Sequence, residues 1–140
     1  MSSFIDTDKT VQALQFTLDG LSKRTQVATN DVANADTPNF KASEVTFEGS
    51  LRQALEGGGD FPLPLKLTDG ADIDPNKPAG LAAIVETPLY NRVLKNDNNN
   101  VDVDPEMTTL AESNIMYETM TQLAESKLGI LKSAITDTKP

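Results

Sequence analysis

The chain has 140 residues, a formal net charge of −9, 38% apolar residues, 5% aromatics, no Trp, no Cys and no His. One domain's worth of chain so thin in aromatic core formers gains much of its burial from partners. The acidity argues against nucleic-acid backbones and anionic membrane surfaces, and the missing Cys and His exclude disulfides, zinc fingers, thiolate nucleophiles and Ser-His-Asp triads. No run reaches the ~20 apolar residues of a membrane span. The opening Met1-Ser2-Ser3-Phe4-Ile5-Asp6-Thr7-Asp8 lacks the basic and apolar regions of a cleaved signal. We therefore expect no membrane insertion and, if the protein leaves the cytoplasm, another export route.

In chain order, the first predicted element is a helix over about 9–33, capped by Asp8 or Thr7. Val11, Leu14, Leu18, Leu21, Ala28 and Val32, with Thr25 in the same series, step by three and four, the spacing of a heptad seam. Such a helix is roughly 35–40 Å long. Gly20 costs about 1 kcal/mol against Ala in a helix interior, so it marks a close approach, read here as that of another backbone.

This helix ends in Asn30-Asp31-Val32-Ala33-Asn34-Ala35-Asp36-Thr37-Pro38-Asn39-Phe40-Lys41. Asn34 and Asp36 bond nearby backbone groups where helical bonds run out, and Pro38 biases Thr37 out of the helical region. Asn39 occupies the turn position that needs positive φ, and Phe40 gives the turn an apolar anchor. A short helix over about 46–56 follows, with Phe47, Leu51 and Leu55 on one face.

Residues 57–103 change character. Gly57-Gly58-Gly59, the prolines and Asp97-Asn98-Asn99-Asn100 describe a loop-rich, partly disordered middle, holding at most a β-hairpin. Apolar alternation is brief at Leu63, Leu65 and Leu67; Ile84-Val85 and Leu89-Tyr90 are the candidate strands.

The last element is a helix over about 105–135, started by Asp104 as cap, Pro105 at the first position and Glu106 in the first turn. Met107, Leu110, Tyr117, Ala124, Leu128, Leu131 and Ile135 keep the three-four spacing, with Asn114 and Thr121 in the series. Asn114 there suits fixing register against a partner. Met116, Met120, Leu123, Ile130 and Ala134 widen the apolar face, which implies more than one helical neighbour. The fold class expected is mainly α: two long terminal amphipathic helices forming a coiled-coil-like assembly unit. The chain divides into 1–56, a middle of 57–103, and 104–140, the two ends making one functional unit.

Little in the chain suggests chemistry. Asp97, Asn99 and Asp102 resemble a calcium loop, but an EF-hand starting at Asp97 needs Asn or Asp at 101, Gly at 102 and Glu at 108; Val101, Asp102 and Thr108 stand there. A loop leading to a helix cap explains the same residues. The carboxylates form a solvated acidic surface, and Gly57–Gly59 lacks the Lys-Ser/Thr of a phosphate loop. The expectation is no catalytic residue, no cofactor and no metal.

The terminal blocks resemble a known family. Leu18-Asp19-Gly20-Leu21-Ser22-Lys23-Arg24, together with Asn30, Asn34, Asp36, Thr37, Pro38 and Phe40, is similar to the N-terminal signature of bacterial flagellar rod and hook proteins. The same opening and Met120-Thr121-Gln122-Leu123-Ala124-Glu125-Ser126-Lys127-Leu128-Gly129-Ile130-Leu131-Lys132-Ser133-Ala134-Ile135 resemble the proximal-rod members. So does Asn99-Asn100-Val101-Asp102-Val103-Asp104-Pro105-Glu106-Met107. The likeness covers about 18–56 and 98–135. Asn39 stands where that family usually has Gly, Asp31 where Asn is common, and Pro105 where a basic residue is common.

The resemblance implies a structural subunit of the basal-body rod, self-assembling through its terminal helices into a shaft that transmits torque. It implies other rod and basal-body subunits, copies of the chain itself and the flagellar type III export apparatus as partners, and the periplasm-spanning rod as location. It implies an export signal of Phe followed four residues later by a hydrophobic residue, which Phe47 and Leu51 fit. The alternative reading, a soluble helical adaptor or export chaperone, shares the amphipathic ends and the acidity. Fractionation separates the two, since only a rod subunit is found in purified basal bodies.

Overall fold

A computed structural model of the chain describes residues 9–56, 84–90 and 95–136. The element order is α1 (Lys9–Ala33), β1 (Ser43–Thr46), α2 (Glu48–Glu56), β2 (Val85–Pro88) and α3 (Val103–Thr136). The alternation at Leu63, Leu65 and Leu67 and the Gly57–Gly59 run lie outside the described residues.

The two long helices form an antiparallel pair. Leu14 and Leu18 of α1 share a groove with Ala124 and Leu128 of α3, while Val27 and Ala28 line another with Thr109 and Ser113. Helix α1 has two buried faces. Leu14, Leu21 and Ala28, seven residues apart, are the expected seam; Phe16, Gly20, Val27 and Asp31 form a second stripe. That second stripe meets β1 and α2 in a core of Phe16, Leu21, Val27, Val45, Phe47 and Ala54, with Met120 of α3 and Ile84 packed on it.

Gly20 is explained by a ring, not by another backbone. A Cβ there would lie 2.6–2.8 Å from three atoms of the Phe47 ring. The same ring stands edge-on to Phe16, at 6.3 Å between centroids and 74° between planes, and carries the Arg24 guanidinium 4.8 Å from its centroid. Helix α2 starts at Glu48, just after the expected boundary, and Leu51 N–H donates to the Phe47 carbonyl at 2.9 Å to begin it. Its buried residue is Ala54; Leu55, expected on the inner face, is 54% exposed.

The sheet is antiparallel and pairs Ser43 with Pro88 and Thr46 with Val85. It therefore ties the middle of the chain to the N-terminal block rather than closing within 57–103. The candidate pairs Ile84-Val85 and Leu89-Tyr90 give one strand between them, since Val85–Pro88 carries the ladder and Leu89 N–H extends it to the Ala42 carbonyl at 2.8 Å.

Helix α3 begins two residues earlier than expected, at Val103. Asp102 caps it, in place of Asp104: its Oδ1 accepts from Asp104 N–H at 3.3 Å and its carbonyl accepts from Glu106 N–H at 3.3 Å. Pro105 still falls in the first turn, where a missing N–H has no helical partner to lose. No described helix is long and apolar enough to cross a membrane.

Candidate assembly interface

Helix α3 has 34 residues, and only Glu106 and Ser113 are buried. Half-buried Leu110, Met120, Ala124, Lys127 and Leu131 complete the line along α1. At 100° per residue, two apolar stripes flank that line. Met116, Leu123 and Ile130 recur every seven residues on one flank; Tyr117, Leu128 and Ile135 lie on the other. All six are exposed, Ile130 at 65% and Ile135 at 78%. Apolar surface in contiguous stripes marks a binding face, whereas scattered exposed residues do not.

The predicted seam residues divide between the helices. In α1, Leu14, Leu21 and Ala28 are buried and Val11, Leu18 and Val32 half-buried. In α3, Leu110 and Leu131 are half-buried, while Met107, Tyr117, Leu128 and Ile135 face outward. The line inside the chain runs through Ser113, so Asn114, one residue on, is exposed and sets no register between α1 and α3. Sequence reasoning missed the second stripe of α1 because Gly20 and Asp31 dilute its apolar signal.

The predicted turn motif is a hydrogen-bonded structure. Asn34 Nδ2 donates to the Asn30 carbonyl at 2.8 Å, and Asn34 Oδ1 accepts from the Thr37 hydroxyl at 3.2 Å. Thr37 N–H donates to the Asn34 carbonyl at 3.0 Å. Asn39 sits at φ 62°, the left-handed conformation expected of it. Asn30, Asp36 and Pro38 are exposed and Phe40 is half-buried, packed on Ala35, Ala42 and Val101.

A loop from the far side of the sequence grips this turn. Asn99 and Asn100 are 0% and 3% exposed. Asn99 Nδ2 donates to the carbonyls of Asn34 (2.9 Å) and Thr37 (2.8 Å), and its Oδ1 accepts from Val101 N–H at 2.7 Å. Asn100 Oδ1 accepts from Ala42 N–H at 2.7 Å, and its Nδ2 donates to the Leu89 carbonyl. Lys95 Nζ donates to the Ala35 carbonyl at 3.0 Å, and Asn39 N–H to the Asp97 carbonyl at 3.0 Å. Asp31 Oδ2 accepts from Ser43 N–H at 2.8 Å across the same corner.

The atoms a calcium loop would use at Asp97 and Asn99 are thus engaged by the chain's own backbone; Asp97 Oδ1 accepts from Asn99 N–H at 3.1 Å. Among the described residues no group of three His, Cys, Asp or Glu is placed to hold a metal.

Beside the helix pair lies an open groove of about 360 Å³ lined by Arg24, Glu44, Glu48, Glu106, Glu112 and Met116, among others. Arg24 spans its wall: Nη2 donates to the Val45 carbonyl at 2.9 Å and to Glu48 Oε1 at 2.5 Å. Burial raises the Glu48 carboxyl, but the Arg24 hydrogen bond, the N–H groups of Phe47 and Glu48, and the charge of Arg24 together outweigh it. The net shift is below the usual carboxylate range. Lys23 reaches Glu86 at 2.7 Å and joins α1 to β2.

The chain is 37% identical over 108 residues to a Borrelia hermsii protein described as flagellar basal body rod protein FlgB, covering 76% of this chain and 80% of that one. It is 33% identical over 130 residues to the protein of the same description from Bacillus subtilis (strain 168), covering 93% and 95%. The Escherichia coli (strain K12) protein of that description is 30% identical over 117 residues, covering 79% and 83%. No family model matches the chain.

Proposed function

Because this chain belongs to the flagellar basal body rod protein FlgB family, we propose that the two bare flanks of α3 are the surfaces by which it enters the rod. The protein is a structural subunit of the proximal rod, located in the flagellar basal body, and not an enzyme. It assembles with other rod subunits. The observation that carries the proposal is the pair of stripes Met116-Leu123-Ile130 and Tyr117-Leu128-Ile135, solvent-exposed on a helix already packed on α1. Full burial of such a side chain is worth about 1.5–3 kcal/mol, and a neighbour that covers the exposed half gains roughly half of that. Several per subunit, repeated along a shaft, supply stiffness for transmitting torque without turnover. Copies of the chain itself and adjacent basal-body subunits are the partners this surface suits.

The test is Leu128→Asp with Leu123→Asp as its counterpart on the other flank. Both variants should be synthesised at normal levels, be missing from purified basal bodies, and leave cells unable to spread in soft agar. Normal swimming by either variant would remove that flank from the interface.

Phe47 and Leu51 remain our candidate for a signal read by the type III export apparatus. Phe47 is 3% exposed beneath Arg24 and against Gly20, so a receptor reaches it only on an unfolded chain. Phe47→Ser should leave the protein in the cytoplasm; secretion of that variant at the normal level would discard the assignment.

A further inference from the structure

We propose that the Asn99-Asn100 pair is the register device of the helix pair: it decides which turn of α3 lies against which turn of α1. The seam between the helices repeats. On α1 its buried residues are Leu14, Leu21 and Ala28, each seven apart. On α3 the facing residues Glu106, Ser113, Met120 and Lys127 are also seven apart, as are Ala124 and Leu131. A slide of one heptad, roughly 10 Å at 1.5 Å per residue, preserves this spacing opposite the same partners, and Met120 is the one large apolar side chain among the four facing residues that it would displace. With two buried residues along 34, α3 also lacks the interlocking large side chains that would forbid such a slide.

The corner formed by 34–42 and 95–102 is different in kind. Asn99 and Asn100 hold four backbone groups outside their own loop: the carbonyls of Asn34, Thr37 and Leu89 and the N–H of Ala42. Asn39 and Asn98 face each other in left-handed turns, φ 62° and 66°, and Asn98 Nδ2 donates to Asn39 Oδ1 at 3.1 Å. The bonds of Asn99 and Asn100 are directional and buried or partly buried, and they cannot be remade one heptad away, because a displaced Asn would leave the carbonyls of the turn unpaired. Asp102, two residues past Asn100, caps α3. The first turn of α3 is therefore pinned to the last turn of α1, and the position of every exposed residue as far as Ile135 follows from that pin.

The chain has no Cys, so engineered thiols report register cleanly. Gln15→Cys is combined in turn with Ala124→Cys, its neighbour across the shared groove, with Tyr117→Cys, and with Leu131→Cys, one heptad to either side. A short bifunctional thiol reagent should link only the first pair in the otherwise unchanged chain. In the Asn99→Ala, Asn100→Ala background the first pair should fall by about half or more, and a shifted pair should rise to match. Val27→Ala, which loosens the apolar core and leaves the corner untouched, should keep the first pair alone. A clamp variant that still links only the first pair would overturn the proposal. So would equal loss of cross-linking in both backgrounds, or loss of helical circular dichroism in the clamp background, since the asparagines would then serve stability and not register.

Discussion

Helices α1 and α3 carry apolar repeats of the same spacing, yet α1 buries eight of its 25 residues and α3 two of 34. The difference lies in their neighbours. Around α1 the chain supplies β1, α2 and α3; α3 receives α1 on one line, and on its flanks Leu128 and Met116 edge open grooves and stay about half exposed. A heptad pattern is thus a statement about packing, without an address. On α1 the partner is the rest of the same chain, and on α3 the remaining partner we propose is another molecule.

Five changes probe this contrast. Phe47→Ala strikes the α1 side hardest: it empties the space against Gly20, Phe16 and Arg24, and should cost about 3–5 kcal/mol in urea denaturation. A smaller loss would mean that the core collapses around the gap. Asn99→Ala removes the partner of two carbonyls and one N–H, but the corner is only partly buried and water re-pairs some of them, so the cost should be about 1–3 kcal/mol in total.

Weaker still are the surface ion pairs. Lys23→Ala should shift stability by about 1 kcal/mol or less, because both partners are well exposed. Glu48 gives a pH signature instead. Its pKa is lowered on folding, so its contribution is fully present above the unfolded carboxylate pKa and is lost as pH falls through the lower folded value. Glu48→Gln should flatten that acid limb of a denaturation series; an unchanged limb would assign it to other carboxylates.

The smallest effect on the monomer belongs to Leu123→Asp. Its side chain is 52% exposed, so the urea midpoint should move by about 0.5 kcal/mol or less. The same change should abolish entry into basal bodies. A large loss of monomer stability would show that α3 is held by its flanks already and would dissolve the contrast between the helices.

Much of this was legible before any coordinates. The bounds of α1 follow from unbroken three-four spacing ended by Asn34 and Pro38, and the left-handed Asn39 from its place after Pro38. The start of α3 was displaced by two residues because Asp102 and Asp104 are chemically equivalent caps, and only the bonds they make distinguish them. Leu55 and Ala54 exchanged roles because a nine-residue helix has too few apolar residues to locate its inner face.

By itself the sequence determined the elements whose causes are local: two long amphipathic helices and the Asn-Ala-Asp-Thr-Pro turn, in a chain without Cys or His. Tertiary structure alone decided what meets what. The pairing of β1 with β2, the Phe47 ring over Gly20, and the grip of Asn99 and Asn100 on a turn some sixty residues away join segments between which no periodicity runs. Hydrogen bonds and ring contacts of that kind depend on where the chain returns in space, and spacing along the chain carries no record of it.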